Sequence, residues 1–166
     1  MMKISITEDM IRRAEARAGE MGELKNSFTH GEGNVVGFVG EEISLAALEG
    51  ARMVESYDFD IEFCGKRFEV KTKRTSVDPL PEYMCSVSTF NNRQKADYYL
   101  FCRVLYSGGS FGKHGWVLGY IPVEEFKKKS VFMMKGTREG NNGYIVKSNC
   151  FSLPISELYN VEGLLQ

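Results

Sequence analysis

The 166-residue chain has little of what most ready-made chemistries require. Its four cysteines, Cys64, Cys85, Cys102 and Cys150, form no C-x-x-C pair, and its two histidines, His30 and His114, stand apart. A zinc site needs ligands clustered at short spacing, so zinc has no support and free buried thiols are expected. No G-x-x-x-x-G-K stretch is present to cradle a nucleotide phosphate. No apolar run reaches the roughly 20 residues that span a bilayer, and the opening MMKISITEDM lacks the apolar segment of a secretory leader. The expectation is a cytoplasmic protein with no membrane association. Internal repeats and low-complexity linkers are also missing, which points to a single domain over 1–166.

What is present is ordinary in bulk and uneven in detail. A hydrophobic fraction of 43% and a charged fraction of 26% suit a globular chain with a real core. The net charge is −1, yet residues 1–62 hold six basic and thirteen acidic residues, a balance of −7. Residues 63–166 hold fifteen basic and nine acidic, a balance of +6. Basic residues cluster in Lys66, Arg67, Lys71, Lys73 and Arg74, and again in Lys127, Lys128, Lys129, Lys135 and Arg138. The asymmetry suits an anionic partner for the second half; solvated loops and helix ends would produce it as well.

Periodicity gives the organisation. Met10, Ile11, Ala14, Ala18 and Met21 recur at helical spacing behind a Ser5/Glu8 capping box, predicting a helix over about 6–22. The polar, Gly-rich stretch KNSFTHGEGN reads as a loop, and VVGFVGEEISLAALEG as a buried helix over about 34–49, ended by Gly50. SYDFDIEF and KRFEVKTK alternate as strands joined by a hairpin turn at Cys64 and Gly65. VDPLPEY, with two of the four prolines, is an extended connection. MCSVSTF reads as a strand, NNRQKA as a short helix, and DYYLFCRVLY as a buried strand whose Tyr98, Tyr99 and Phe101 build the core. SGGSFGKHG reads as a turn, WVLGYI as a strand, PVEEFKKKS as a helix opened by proline, VFMMKG and GYIVKS as late strands, and PISELYN as a final helical turn. The class is α/β or α+β, one domain around a central mixed sheet flanked by helices.

The hairpin concentrates the charge. With a two-residue turn, every cross-strand pair sums to 129, which sets Asp60 opposite Glu69 and Asp58 opposite Lys71, all four on one face. Phe59, Ile61, Phe63, Phe68 and Val70 occupy the other face. Carboxylates opposed at about 5 Å repel unless a cation lies between them, and hard oxygen ligands suit Mg²⁺ or Mn²⁺. A lysine two residues on can steady an anionic transition state, and such an assembly can cut a phosphodiester. The same pattern also fits the outward face of an edge hairpin with a weak Asp58–Lys71 ion pair. On the preceding helix, Glu41 falls on the apolar stripe between Leu45 and Leu48, near Phe38, while Glu42 falls on the side that suits water. A carboxylate on an apolar stripe is costly unless a charge meets it, so Glu41 is a candidate third ligand or ligand-positioning group.

Taken in order, GFVGEE, DFDIEF, FEVKTKR and NNRQKADYYLF resemble the PD-(D/E)XK nuclease superfamily, over about residues 27–106. The string also resembles small nucleases encoded by phages, which would place it in host cytoplasm. The resemblance implies a restriction-endonuclease-like core and a Mg²⁺- or Mn²⁺-dependent deoxyribonuclease acting through metal-activated water. It implies Asp60 and Glu69 as metal ligands, Lys71 as the catalytic lysine, Glu41 as the helix carboxylate and the Val70 carbonyl as a further metal contact. Gln94 takes the place of a glutamine found near such sites. Phe59 stands where the family pattern has proline, which leaves Asp58 as a competitor to Asp60; Asp60 is preferred because it opposes Glu69 in the shortest hairpin. Lys73, Arg74, Arg93 and Lys95 flank the site and are candidate DNA-phosphate contacts, or ordinary surface charges. DNA is the expected partner. Alternatives are a Holliday-junction resolvase, which would need a homodimer, and a non-catalytic DNA-binding module on the same fold. Residues 107–166 carry no site signal and are expected to cover the sheet, bind substrate or support a dimer.

Overall fold

The structure is a computed structural model, and it describes residues 1–21, 32–54, 57–89, 95–139 and 143–165. β1 (Met2–Ser5), β2 (Arg52–Met53), β3 (Ile61–Phe63), β4 (Lys66–Thr75), β6 (Tyr98–Ser107) and β7 (Ser110–Pro122) form a six-stranded sheet in the order β1-β7-β6-β4-β3-β2. β4 and β6 run parallel and every other pairing in this sheet is antiparallel. β5 (Met84–Ser88), β8 (Val131–Met133) and β11 (Cys150–Pro154) form a second sheet in the order β5-β11-β8, and β9 (Arg138–Glu139) pairs with β10 (Tyr144–Ile145). The helices are α1 (Glu8–Met21), α2 (Glu32–Ala47) and α3 (Val123–Lys129). The chain is therefore mixed α/β around a mixed sheet.

The two faces of the large sheet are covered differently. α2 lies on one face, and its Val36, Val39 and Ile43, with Leu48 just past its end, pack with Phe68, Val70, Leu100 and Val104. α1 lies against α2 and contributes Ala14. On the other face, Tyr99, Phe101, Trp116 and Leu118 pack with Cys85 and Val87 of β5, Leu153 of β11 and Phe126 of α3. Alternation along β4 and β6 divides the residues: Phe68 and Val70 go to the helices, while Tyr99 and Phe101 go to the small sheet. Close contact of α2 with β4 requires Gly40, because a methyl group there would overlap the Thr72 side chain.

Several expectations change at this level. The first helix starts after Thr7, whose hydroxyl accepts from Met10 N–H at 3.2 Å. Ser5 cannot cap it, because Ser5 belongs to β1 and pairs with His114. The second helix begins at Glu32 and ends at Ala47, two residues before the predicted end, and Gly50 follows at φ +89°. The turn expected across 107–115 is only Gly108 and Gly109, both at positive φ; β7 begins at Ser110. Strands β1, β2, β9 and β11 were not predicted by the local pattern; each is short, and β1 and β11 are completed by the distant strands β7 and β5. Of the predicted helix 91–96, residues 91–94 lie outside the described residues, and Lys95 and Ala96 are not helical. The expected loop 25–34 also falls largely outside them, and its last three residues, Glu32 to Asn34, belong to α2. Among the described residues no helix is long and apolar enough to cross a membrane.

Candidate active site

The β3–β4 hairpin forms as its sequence dictates. Cys64 and Gly65 both adopt positive φ, +50° and +71°, the turn whose twist matches the flanking strands. The pairs Ile61–Phe68, Glu62–Arg67 and Phe63–Lys66 follow, so the register summing to 129 holds over these residues. It then stops. Asp60 N–H donates to the Phe68 carbonyl at 3.0 Å, and the Asp60 carboxylate accepts from Val70 N–H at 2.7 Å. A side chain thus takes the position that backbone would have filled, and β3 peels away from β4. The predicted pairing of Asp58 with Lys71 fails for this reason. Asp58 instead accepts Lys95 N–H at its carbonyl, 3.0 Å, and lies 3.5 Å from the Lys95 ammonium.

The peeling exposes one edge of β4. Pleating turns the N–H and C=O of a strand residue to the same side, so the Val70 carbonyl faces the same opened edge as its N–H. Glu69 and Lys71 project from the sheet face on either side of Val70, and their charged ends meet at 2.6 Å. Both are largely shielded, with side-chain exposures of 5% and 16%.

α2 supplies the remaining carboxylate. Glu41 is buried, as its place on the apolar stripe required, and accepts from Arg17 of α1 at 2.8 Å. Arg17 also lies 4.1 Å from the centre of the Phe38 ring. Glu42 departs from expectation: it is as buried as Glu41 and accepts from Arg13 at 2.6 and 3.0 Å. α1 covers the flank that the isolated helix would show to water, and Arg13 and Arg17, one turn apart, meet adjacent glutamates. These arginines were missed by sequence reasoning; their i, i+4 spacing on an amphipathic helix was the available signal.

Electrostatics link the three carboxylates. Burial raises the Glu41 carboxyl to about 7, helped by the charge of Asp60 and offset by Arg17. Burial raises Asp60 to about 6, reinforced by Glu69 and offset by the Val70 N–H, Lys71 and Arg17. Burial is the larger cause for both, and repulsion among the carboxylates adds to it. Each carboxylate nevertheless has its own partner: Arg17 for Glu41, Val70 N–H for Asp60 and Lys71 for Glu69. Among the described residues, no group of three His, Cys, Asp or Glu side chains converges at metal-ligating geometry.

The remaining candidates scatter. Lys73 turns inward on the Glu69–Lys71 face and donates to the Met84 carbonyl and the Ser86 hydroxyl at 3.0 and 2.8 Å. Arg74 is on the opposite face, 4.7 Å from the Tyr106 ring centre. Lys95 is exposed beside Asp58. Arg93 and Gln94 lie outside the described residues. Lys127 and Lys129 of the second basic cluster pair with Glu124 and Glu125 on their own helix. Three cysteines are buried and free, and Cys64 is exposed on the hairpin turn. Compared with known protein families and with curated proteins, the chain matches none.

Proposed function

We propose that this chain is a divalent-metal-dependent deoxyribonuclease of the PD-(D/E)XK type on a restriction-endonuclease-like core. The observation that carries the reading is the electrostatic coupling of Glu41, Asp60 and Glu69 near the opened edge of β4, with Lys71 on Glu69 and two carboxyls held above their ordinary range. The donor set fits a hard cation: carboxylate oxygens from Asp60 and Glu69, the Val70 carbonyl, and Glu41 as a third carboxylate or a support. Bound there, Mg²⁺ or Mn²⁺ would supply charge for the scissile phosphate and acidify water for attack on phosphorus.

The chain's own residues do the rest. Asp60, tied to Val70 N–H, is fixed in orientation by that hydrogen bond. Lys71 is held in place through Glu69, where its ammonium would stabilise charge building on a bound phosphate. Arg17 opposes the effect of burial on Glu41 and limits the rise of its carboxyl to about 7.

Incubation of the protein with linear, circular and branched DNA plus Mg²⁺ or Mn²⁺ tests the proposal. Cleavage is expected, with Lys71→Ala abolishing it; absence of cleavage with either metal, or full activity of Lys71→Ala, overturns it. A second reading, a DNA-binding module without chemistry, draws support from the closed pairs Glu41–Arg17 and Glu69–Lys71. Calorimetric titration separates the two: Mg²⁺ uptake that depends on Asp60 belongs to the nuclease reading.

A further inference from the structure

A cavity of about 190 Å³ lies beyond Lys71 between the large sheet and the small one. Its walls include Lys71, Lys73, Ser86 and Arg103. Arg103 pairs with Lys73 across the parallel β4–β6 ladder, so the two cations project from neighbouring strands on one face. Arg103 is 9% exposed, and its Nε has no hydrogen-bond partner among the described residues. Its Nη2 donates to the Met84 carbonyl at 3.1 Å, an acceptor it shares with Lys73. Among the described residues one acid faces them: Glu139, 3% exposed, with Oε1 3.7 Å from Lys73 and no hydrogen bond to that oxygen. Two enclosed cations against one carboxylate leave one positive charge unbalanced, and a buried guanidinium donor without an acceptor is costly. Tyr83 and Tyr144 rings lie over Arg103 and Lys73 at 5.3 and 5.5 Å, screening both from bulk water. A bidentate fork, an ammonium and a hydroxyl around an enclosed space are the donors that phosphate oxygens take.

We propose that the cavity is a phosphate-binding pocket in which Lys73, Arg103 and Ser86 hold a phosphate group of the DNA strand, next to the group handled at Lys71. The assignment to DNA rests on the nuclease reading; the pocket itself rests on the guanidinium Nε without an acceptor and the excess charge, both among the described residues. Two sources have the same chemistry, a terminal phosphate and an internal one.

Inorganic phosphate is the first probe, titrated against the intact protein at constant ionic strength with chloride as the control. Saturable binding is expected in the wild type, weakened at least tenfold in both Lys73→Gln and Arg103→Lys, with circular dichroism showing the fold kept. Phosphate no better than chloride, or binding unchanged in both variants, overturns the pocket. The second probe is a short duplex carrying 5′-phosphate, 3′-phosphate or hydroxyl ends, with Ca²⁺ in place of Mg²⁺. A preference of about tenfold for one phosphorylated end, lost in Lys73→Gln, assigns a terminal phosphate. Equal affinity for all duplexes that falls together in Lys73→Gln assigns an internal one. Duplex affinity untouched by Lys73→Gln overturns the assignment to DNA. Phosphate binding in a wild-type protein that cuts no DNA would sink the nuclease reading and leave the pocket standing.

Discussion

Strand β4 carries two charged environments in succession, and they are unbalanced in opposite senses. Around Glu69, buried carboxylates raise one another's proton affinity; around Lys73, two cations are enclosed with one acid among the described residues. The side chains of Glu69, Lys71 and Lys73 share one face at spacings of two residues, so the change of sign occurs within one short run of strand. Neither imbalance helps the fold, because an enclosed charge without its full complement is costly. On the proposed reading, a divalent cation would offset the acidic end and a phosphate group the cationic one.

The largest expected break in this comparison comes from the acidic end. Glu69→Ala or Asp60→Ala should lower Mg²⁺-dependent DNA cleavage by about 10²–10³-fold, a magnitude ordinary for loss of one charge-stabilising group; gel kinetics on linear DNA check it. Unchanged rates would mean that the acidic cluster is structural.

The next effect concerns pH. Glu41 and Asp60 hold their protons more tightly folded than unfolded, so between about pH 4 and 7 the native state carries more protons. Their contribution to stability therefore falls as pH rises through that window, on the order of 3 kcal/mol in total after allowance for coupling. Denaturant unfolding at pH 5 and 8 should show the decline, and Mg²⁺ at pH 8 should reverse it. Arg17→Met should steepen it, because the guanidinium is what opposes Glu41 protonation. The cationic end has the contrary slope at higher pH. Burial lowers the Lys73 ammonium, so its contribution rises as pH climbs toward the ordinary lysine range.

Gly40→Ala tests whether the acidic end depends on α2 reaching β4. The added methyl would overlap the Thr72 side chain, and overpacking of this kind costs about 1–3 kcal/mol. A lowered Tm with weakened metal binding is expected. The smallest effect is at the hairpin tip, where Cys64 holds φ +50°. Cys64→Asn should stabilise by about 0.5 kcal/mol, since asparagine tolerates that backbone better, and chemical unfolding would read it.

The legible part of the molecule was the part governed by neighbours in sequence. Alternation made β4 and β6 readable, a two-residue turn fixed the register over Ile61–Phe63, and the apolar stripe of α2 placed Glu41 inward. The rest depended on contacts across the chain. Nothing near Glu42 announces Arg13, which buries it from another helix. Asp60 looked like one more ladder residue, and only its carboxylate's competition for Val70 N–H ends the pairing there. Lys73 looked like a surface phosphate contact, yet β5 and Glu139 enclose it from segments distant in sequence. β1 and β11 were hidden similarly, each short and completed by a strand far along the chain.

The solitary accessible thiol has a practical consequence. Cys64 sits at the tip of the ribbon whose two arms lead to Asp60 and Glu69, whereas Cys85 and Cys102 are enclosed and resist deprotonation up to about 12. Thiolates, not thiols, react with labelling reagents. A maleimide fluorophore should therefore attach at one place on the untouched wild-type chain, and its emission would report cation or oligonucleotide arrival a few residues away.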